Sequence, residues 1–426
     1  MKSRTAIKLM DSLYGDIILK GPVAELSCTP CLQRLREVRL SNIDSLCMPG
    51  IANISRYEHS VGTAYLSSRL GFFNRLAEQD KLVLQASALL HDFGITAYGH
   101  LVEEALQYVS LSFEHEMKLS MLVQNSENTE LGGVDLQIYA GHQSGVTKWL
   151  ERTFGTEARK RFNDIVDITA GRGMLGPCVS GDIDVDNLDN LVRIAFHMGL
   201  KVDTQLPVKI ALGMVGTKEG EGIIFSHKSA EPIKEWLELR QNVYSRLMLS
   251  REDFTGKAML ICATVMAIQG GYLGVPEYIW TLTDRGLLQH LLDSKDKNII
   301  NAVESWLVGD LWPLSDLLWM AGDAPRYTTL KDFNVFISEA LGRSCFSYRI
   351  RDKRTRLLNV HLESGDVIQL GTNPTTWVLG IVSQLRSDFT VAQKRTFRQL
   401  ASEFFQVDCL GRVGEIDSGS LPFLRS

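Results

Sequence analysis

Four polar stretches of this chain carry side chains that could bind a metal ion. Two imidazoles and two carboxylates suit a divalent transition ion and leave coordination positions for water or a phosphate oxygen. Both kinds of group are costly to bury unless they are paired or bound to something. The pattern therefore indicates a metal centre built from residues distant in the chain. The stretches are Arg56-Tyr57-Glu58-His59, His91-Asp92, Asp184-Val185-Asp186, and the trio His100, His115 and Glu116.

Each stretch also has an ordinary structural interpretation. A His-Asp dipeptide is common, and His59 could simply begin a helix. The acidic residues from Asp182 to Asp189 could form a solvated turn that favours a helix N-terminus. Further along, polar residues recur at i, i+4, i+7 and i+11, and this stripe either faces solvent or lines a pocket. The stripe consists of Asp186, Asn190, Arg193 and His197.

Helical spacing of apolar residues predicts the elements that would position these groups. His59 lies at the start of one predicted helix, His91-Asp92 at the end of a second, and Asp186 at the start of a third. Three helix ends that meet could present four ligands without burying any of them unpaired. The apolar positions are Leu66, Leu70 and Phe73 in the first helix, Leu82, Ala86, Leu89 and Phe93 in the second, and Leu188, Leu191, Ala195 and Met198 in the third.

The fold class predicted from these patterns is mainly α. Helical spacing dominates from about residue 28 to 320, with a small β-hairpin insertion at 207–226 around Gly216-Thr217-Lys218-Glu219-Gly220. Alternating residues beyond 325 predict a smaller α+β C-terminal part. We therefore expect two domains, 1–325 and 326–426, the second of unknown role. The first twenty-seven residues are expected to form a short strand pair.

Composition narrows the classes of function. The chain has 426 residues, of which 45% are hydrophobic and 22% charged, which is typical of globular proteins. Its net charge of −5 gives no basic field, so nucleic acid is not expected as the main ligand. Any polyanionic substrate must be attracted by a few local Arg, Lys and His side chains.

The cysteines and the apolar runs indicate in which cellular compartment the protein is expected. Seven scattered cysteines do not suggest a disulfide framework, and the lone Cys28-Thr29-Pro30-Cys31 favours ordinary thiols over a zinc or redox site. The N-terminus lacks an apolar signal region, and no run approaches the roughly 18 apolar residues of a membrane span. We expect a soluble cytoplasmic protein with no membrane partner.

The ordered motifs resemble those of the HD-domain phosphohydrolases. The best match is the branch that contains the bacterial dGTP triphosphohydrolases and the animal SAM-and-HD-domain dNTP triphosphohydrolase. The likeness spans roughly residues 10–320 and does not cover the C-terminal hundred residues. The motifs are TPCLQRLREVRL, RYEHSVGTAYL, ALLHDFG followed by GH, FEHE, GDIDVDNLDNLVR and LTDRGLLQHLLDS.

The resemblance implies an HD-type helical core and a set of residue roles. One divalent transition metal, manganese, iron or similar, would be held by His59, His91, Asp92 and Asp186, with additional magnesium on the phosphates in some members. A hydroxide produced there would attack the α-phosphorus, releasing a nucleoside and intact triphosphate. The proton for the leaving nucleoside 5′-oxygen is expected to come from His100, oriented by Glu103, or else from His115, oriented by Glu116. The expected substrate contacts are Arg56, Asn190, Arg193 and Arg240.

The same resemblance implies a regulatory site and an assembly. Gln33 and Arg36 match positions where the animal enzyme binds an activating guanine nucleotide between subunits. Cys28 replaces the Asp that reads guanine there, and Arg36 could equally be a surface cation. A homo-oligomer and a nucleotide effector are therefore further expectations.

Departures from the pattern concern the sugar-reading positions. Leu40 stands near the family's sugar-reading Gln, and Ile95 replaces one active-site His. Family Lys, Tyr and Asp positions become Asn187, Asn190 and Ile194. Either other residues read the same sugar, or the substrate is a different nucleotide.

Three functions follow from this pattern. A deoxynucleoside triphosphate triphosphohydrolase is the leading hypothesis, and a phosphatase or phosphodiesterase acting on a signalling or modified nucleotide is the second. The third is a non-catalytic nucleotide sensor, which would not need the four retained ligand types.

Overall fold

The computed structural model describes residues 5–41, 46–111, 113, 119, 144–218, 222–274 and 279–415. The first element of this part of the chain is a β-hairpin. Strand β1 (Ala6–Asp11) pairs antiparallel with β2 (Gly15–Lys20), as predicted for the N-terminal residues. Gly15, at φ +69°, allows the tight reversal between the two strands.

Helices form most of the rest, which confirms the mainly α fold class. Those before the next strand are α1 (Gly21–Ser27), α2 (Pro30–Arg34), α3 (Arg56–Ser67), α4 (Glu78–Leu90), α5 (Leu101–Tyr108), α6 (Ser144–Phe154), α7 (Ala158–Thr169), α8 (Gly176–Val179), α9 (Val185–His197) and α10 (Leu206–Gly213). Short 3-10 turns lie at Leu35–Glu37, Pro49–Ile51, Phe73–Arg75, Gly155–Glu157, His227–Ser229 and Ile279–Thr281.

The second half mixes helices with short strands. Its elements are β3 (Met214–Lys218), β4 (Gly222–Phe225), α11 (Ala230–Leu249), α12 (Arg251–Gln269), α13 (Asp284–Leu292), α14 (Lys297–Leu307), β5 (Leu318–Ala321), α15 (Tyr327–Leu341), β6 (Phe346–Arg351), β7 (Leu358–Leu362), β8 (Val367–Leu370), β9 (Thr376–Val382), α16 (Val391–Phe405) and β10 (Cys409–Arg412). In the described residues no helix is long and apolar enough to cross a membrane.

The predicted hairpin insertion is shorter than expected. Strands β3 and β4 pair antiparallel, but residues 206–213 form α10 instead of a strand. Pro207 lies in the first turn, where a missing N–H costs nothing, and Leu206 and Ile210 are buried one turn apart. The apolar residues of this segment therefore follow the period of a helix, about 3.6 residues, and not the period of 2 that a strand requires.

Two four-stranded sheets join distant parts of the chain. One has the order β10-β5-β9-β6 and is antiparallel throughout. The other has the order β3-β4-β7-β8, in which β4 and β7 are parallel with Ile224 opposite His361. Both sheets contain strands from either side of residue 325, so the predicted domain boundary does not coincide with a break in strand pairing.

Two hydrophobic clusters form the core. The first packs the N-terminal hairpin, α3, α4, α7 and α9 together and buries Trp149 and Trp236. The second packs α5, α12 and α14 against β5, α15, β6, β9 and α16, and buries Trp319 and Trp377. Buried Arg34 ties α2 to the loop after α4, donating hydrogen bonds to the carbonyls of Phe93 and Ile95 at 3.1 and 2.8 Å. That loop begins with His91-Asp92.

Candidate metal centre and its pocket

Three helix ends converge in the first cluster. Helix α3 begins after Ser55, whose hydroxyl accepts a hydrogen bond from the Glu58 amide, and His59 lies in its first turn. Helix α9 begins after Asp184, which caps the Asn187 amide in the same way, and it carries Asp186 in its first turn. Helix α4 ends at Leu90, directly before His91-Asp92. Side-chain caps thus fix the start of α3 and of α9, and packing in the first hydrophobic cluster brings both starts to the end of α4.

Three of the four predicted metal residues, His59, His91 and Asp186, form a tight group of ligand atoms, and Asp92 lies next to it. His59 Nε2 lies 2.9 Å from Asp186 Oδ1 and 3.2 Å from His91 Nε2. Asp92 Oδ2 lies 3.4 Å from His91 Nε2 and 3.9 Å from His59 Nε2, and Asp186 Oδ1 lies 3.7 Å from His91 Nε2. The ligand atoms of His59, His91 and Asp186 thus lie within 4.8 Å of one another, and Asp92 lies beside the two imidazoles.

The second ring nitrogen of each imidazole has its own partner. His59 Nδ1 lies 2.7 Å from Asp189 Oδ1, and His91 Nδ1 lies 2.8 Å from the Ala88 carbonyl oxygen. Metal-binding histidines usually donate this N–H to a carboxylate or carbonyl, which fixes the tautomer and directs Nε2 at the ion. The donor set therefore fits a divalent transition metal.

The electrostatic field at this point favours positive charge. Burial lowers the pKa of His91, but Asp92 and Asp186 outweigh burial and raise it to about 9. Burial raises the pKa of Asp92, but Arg56 and His91 hold it well below its ordinary value. A cation bound here would take the place of imidazole protons beside two carboxylates.

Arg193 does not contact the pocket, contrary to the sequence expectation of a substrate contact. It is fully buried and forms ion pairs with Asp189 at 2.9 Å, Asp11 at 3.0 Å and Glu58 at 2.6 Å. Glu58 of α3 and Asp11 of the N-terminal hairpin hold it against those two elements, and Asp189 lies one turn before it in α9. His197, from the same polar stripe, lies 3.2 Å from the Ser12 hydroxyl, on this side of the helix.

Asp189 is the functional residue that the sequence analysis missed. It was grouped with a solvated acidic turn, yet it is fully buried between His59 and Arg193. Burial raises its pKa, but the Arg193 guanidinium and His59 lower it below its ordinary value. The i, i+4 spacing of Asp189 and Arg193 was the available signal.

A cavity of about 440 Å³ opens beside the ligand cluster, a volume typical of small-molecule sites. Leu40 and Ile194, two of the departures at sugar-reading positions, lie in its wall. Predicted site residues in its lining are Arg56, His91, Asp92, His100, Asp186 and Asn190.

His100, the first predicted proton donor, lies in the wall of this pocket beside Glu103. Its Nδ1 lies 2.7 Å from Glu103 Oε2, so a buried carboxylate orients a half-exposed imidazole in the pocket wall. His115 and Glu116, the second candidate pair, lie outside the described residues.

The other residues that were predicted to contact the substrate or the effector interact with residues of the chain itself. Arg56 donates to Asp92 Oδ2 at 2.7 Å and to the Leu40 carbonyl at 2.9 Å, so it holds a predicted ligand in place. Arg240 lies outside the pocket lining, with its guanidinium 4.6 Å from the Tyr244 ring centroid. Gln33 donates to the Ser27 carbonyl at 2.8 Å, and exposed Arg36 donates to Gln33 at 3.4 Å.

Comparisons with known proteins agree with this geometry. Residues 56–151 match the family model of the HD domain. A phosphohydrolase of Bacteroides thetaiotaomicron superposes with a TM-score of 0.64 over 89% of this chain and 100% of that chain, at 16% identity, which shows a shared fold. An uncharacterized protein of Methanocaldococcus jannaschii is 23% identical over 332 residues, 71% of this chain and 63% of its own length. The deoxynucleoside triphosphate triphosphohydrolase SAMHD1 of Bos taurus is 25% identical over 221 residues, 45% of this chain and 35% of its own length.

The HD-domain match and the possible metal ligands His59, His91 and Asp186 indicate a metal-dependent hydrolase. More particularly, residues 56–151 match the HD domain, in agreement with the resemblance of the sequence motifs to HD-domain phosphohydrolases. The matches span less than two thirds of the length of these two relatives.

Proposed function

We propose that this chain is a metal-dependent nucleotide phosphohydrolase, and specifically a deoxynucleoside triphosphate triphosphohydrolase. The observation that carries the proposal is the convergence of His59, His91, Asp92 and Asp186 beside a pocket of about 440 Å³. The similarity to SAMHD1 supports the particular substrate class. The products would be a deoxynucleoside and intact triphosphate.

His59, His91, Asp92 and Asp186 would hold a divalent ion, manganese or iron, and the ion would supply a Lewis acid that lowers the pKa of water enough for attack near neutral pH. Additional magnesium would accompany the substrate phosphates. Asp189 and the Ala88 carbonyl keep both imidazoles in the ligating orientation. Arg56 holds Asp92. His100, oriented by Glu103, donates the proton that the leaving 5′-oxygen needs.

In this proposal Asn190 binds the sugar or the base of the substrate. Its side-chain oxygen is buried in the pocket wall and accepts no hydrogen bond within the described part of the chain. Buried acceptors are normally satisfied, so a ligand hydroxyl or amino group is the expected donor. Its neighbours Leu40 and Ile194 provide apolar contact only.

The apolar wall also favours a second candidate function. Leu40 and Ile194 cannot form the hydrogen bonds by which a site reads a sugar hydroxyl, and losing such contacts changes discrimination by orders of magnitude. A phosphatase or phosphodiesterase for a signalling or modified nucleotide fits that wall. The non-catalytic nucleotide sensor remains the third hypothesis. Homo-oligomerisation, a nucleotide effector at Gln33 and Arg36, and a cytoplasmic location stay predictions.

A nucleotide panel tests the proposal directly. Purified protein is incubated with the eight common NTPs and dNTPs and Mn²⁺, and the products are separated by anion-exchange chromatography. Triphosphate release from dNTPs is the expected result. Release of phosphate or pyrophosphate would instead favour the second candidate, and tight binding without turnover would favour the sensor.

Replacing one ligand tests the metal assignment. We expect Asp186→Ala to lose the bound metal and turnover together, because it removes the carboxylate 2.9 Å from His59 Nε2. Elemental analysis should give close to one transition-metal ion per wild-type chain. Asp182→Ala is the matched control, since that carboxylate is 68% exposed and pairs with Arg356. Normal turnover by the Asp186 variant would disprove the ligand assignment.

A further inference from the structure

The C-terminal region forms part of the pocket wall. Strand β6 is the edge strand of its sheet, and its residues Tyr348, Arg349, Ile350 and Arg351 line the same cavity as the predicted metal ligands. Lys353 follows in the lining, two residues beyond the strand. A segment about 160 residues beyond Asp186 in sequence therefore faces the candidate site.

Cations in this segment fall into two groups. Two of them are engaged by carboxylates: Arg354 is buried and binds Asp352 at 2.8 Å, and Arg356 binds Asp182 at 2.9 Å. Arg349, Arg351 and Lys353 instead form no ion pair with any carboxylate that the structure describes. These are the three that line the pocket.

The side chain of Arg349 is held in place without being neutralised. Its Nε donates to the Pro325 carbonyl oxygen at 3.0 Å, and its guanidinium lies 4.4 Å from the Tyr327 ring centroid. Tyr327 also lines the pocket. An arginine oriented in this way presents its remaining N–H groups at low entropic cost.

Neighbouring Lys257 shows that positive charge accumulates here. It is buried in the same wall and pairs with Glu104 at 2.9 Å, and Tyr348 donates to the other oxygen of that carboxylate at 3.0 Å. Burial lowers the pKa of Lys257, Glu104 raises it, and Lys353 and Arg349 lower it further. Glu104 is thus already shared by Lys257 and Tyr348, and Arg349, Arg351 and Lys353 form no ion pair with it.

We propose that Arg349, Arg351 and Lys353 bind the substrate phosphates that lie beyond the scissile one. This inference rests on the proposed function and deepens it, because it gives the C-terminal region a part in selecting polyphosphorylated nucleotides over monophosphates. Arginine pairs with phosphate through charge-assisted hydrogen bonds, and the metal ligands and these cations share one cavity. A monophosphate would contact the metal ligands but would not extend to these three cations.

Direct titration with inorganic tripolyphosphate tests the subsite without requiring turnover. The full-length manganese-loaded protein is titrated in a calorimeter with tripolyphosphate and, separately, with orthophosphate. We expect Arg351→Gln/Lys353→Gln to weaken tripolyphosphate binding at least tenfold, about 1.4 kcal/mol, and orthophosphate binding much less. Because the side chains of Arg351 and Lys353 are exposed, the affinity should also fall with added salt.

Matched variants separate this effect from net charge. Lys297→Gln/Arg395→Gln removes two exposed cations that do not line the pocket and should bind tripolyphosphate as the wild type does. Lys353→Glu alone should weaken binding more than Lys353→Gln. An unchanged tripolyphosphate affinity in the Arg351/Lys353 variant, with one metal ion retained per chain, would overturn the subsite and leave the proposed function intact. A wild-type protein that binds tripolyphosphate through these residues but hydrolyses no nucleotide would overturn the function and leave the subsite intact.

Discussion

At the residue scale, the candidate metal centre depends on side chains that do not face the ion. Asp189 lies between His59 and Arg193, and Arg193 in turn binds Asp11 and Glu58. This buried network fixes the imidazole before any ion arrives. A ligand that is already oriented loses less entropy on binding, so the network should contribute directly to metal affinity.

We expect Asp189→Asn to lower metal affinity about 10- to 100-fold, the range typical of residues that orient a ligating histidine. The amide keeps the size of the side chain but removes the negative charge beside His59 Nδ1. Manganese affinity is measured by competition with a chelator. Asp167→Asn, which alters an exposed ion pair with Arg172, serves as the control and should leave affinity unchanged. Equal affinities for the two variants would contradict the orienting role.

The sequence motifs predict a set of metal ligands, but they do not predict the surroundings of that set. His59, His91, Asp92 and Asp186 were found because their motifs place them at helix ends, where side chains of three helices can meet. The direction of a side chain around α9 was harder to predict, since Asp186 and Asn190 face the pocket while Asp189 and Arg193 face α3. The cations of β6 were not predictable, because no local pattern indicates contact with residues so distant in the chain.

At the element scale, the site requires a close approach between α3 and α9. Gly62, one turn after His59, lies so close to α9 that an added Cβ would overlap the Asp189 carboxylate and the Arg193 guanidinium. Glycine normally weakens a helix interior by about 1 kcal/mol relative to alanine. Its presence in α3 is explained by this packing.

We therefore expect Gly62→Ala to destabilise the fold by about 1–3 kcal/mol, as overpacking usually does, and to weaken metal binding. The two helices must separate to admit the methyl group, which moves His59 away from Asp186. Urea unfolding and manganese titration measure the two effects. Gly145→Ala in α6, where the new Cβ would make ordinary contacts of 3.4 Å or more, should be neutral or slightly stabilising. Wild-type stability in the Gly62 variant would rule out the proposed tight packing.

Elements were predictable where apolar spacing was long and regular. The helices that carry the ligands and strands β7, β8 and β9 all follow local patterns in the sequence. Residues 206–213 were misread because a short apolar run suits either a strand or a helix. The pairing of β4 with β7 could not be anticipated, since strand partners are chosen by tertiary packing.

At the scale of the whole molecule, the C-terminal residues complete a core that begins much earlier. The second hydrophobic cluster joins Leu101 and Phe254 to Trp377 and Phe397. Strand β5, which precedes residue 325, lies between β9 and β10, which both follow it. Neither side of the predicted boundary can bury this cluster alone.

A chain ended at residue 325 should therefore lose cooperative unfolding and expose the second cluster. Urea unfolding followed by circular dichroism, together with gel filtration, would show a broad transition and aggregation. A chain ended at residue 415 keeps every strand of both sheets and should unfold as the full-length protein does. A sharp transition in the 325-residue chain would support an independent first domain.

The position of β5 in its sheet also has a consequence for biosynthesis. During translation β5 leaves the ribosome well before either of its neighbours, since β9 and β10 come more than fifty residues later. During that interval the backbone N–H and C=O groups on both edges of β5 have no strand partners. Unpaired strand edges can pair with other nascent chains. Newly made protein should consequently depend on chaperones until the last strand has been synthesised.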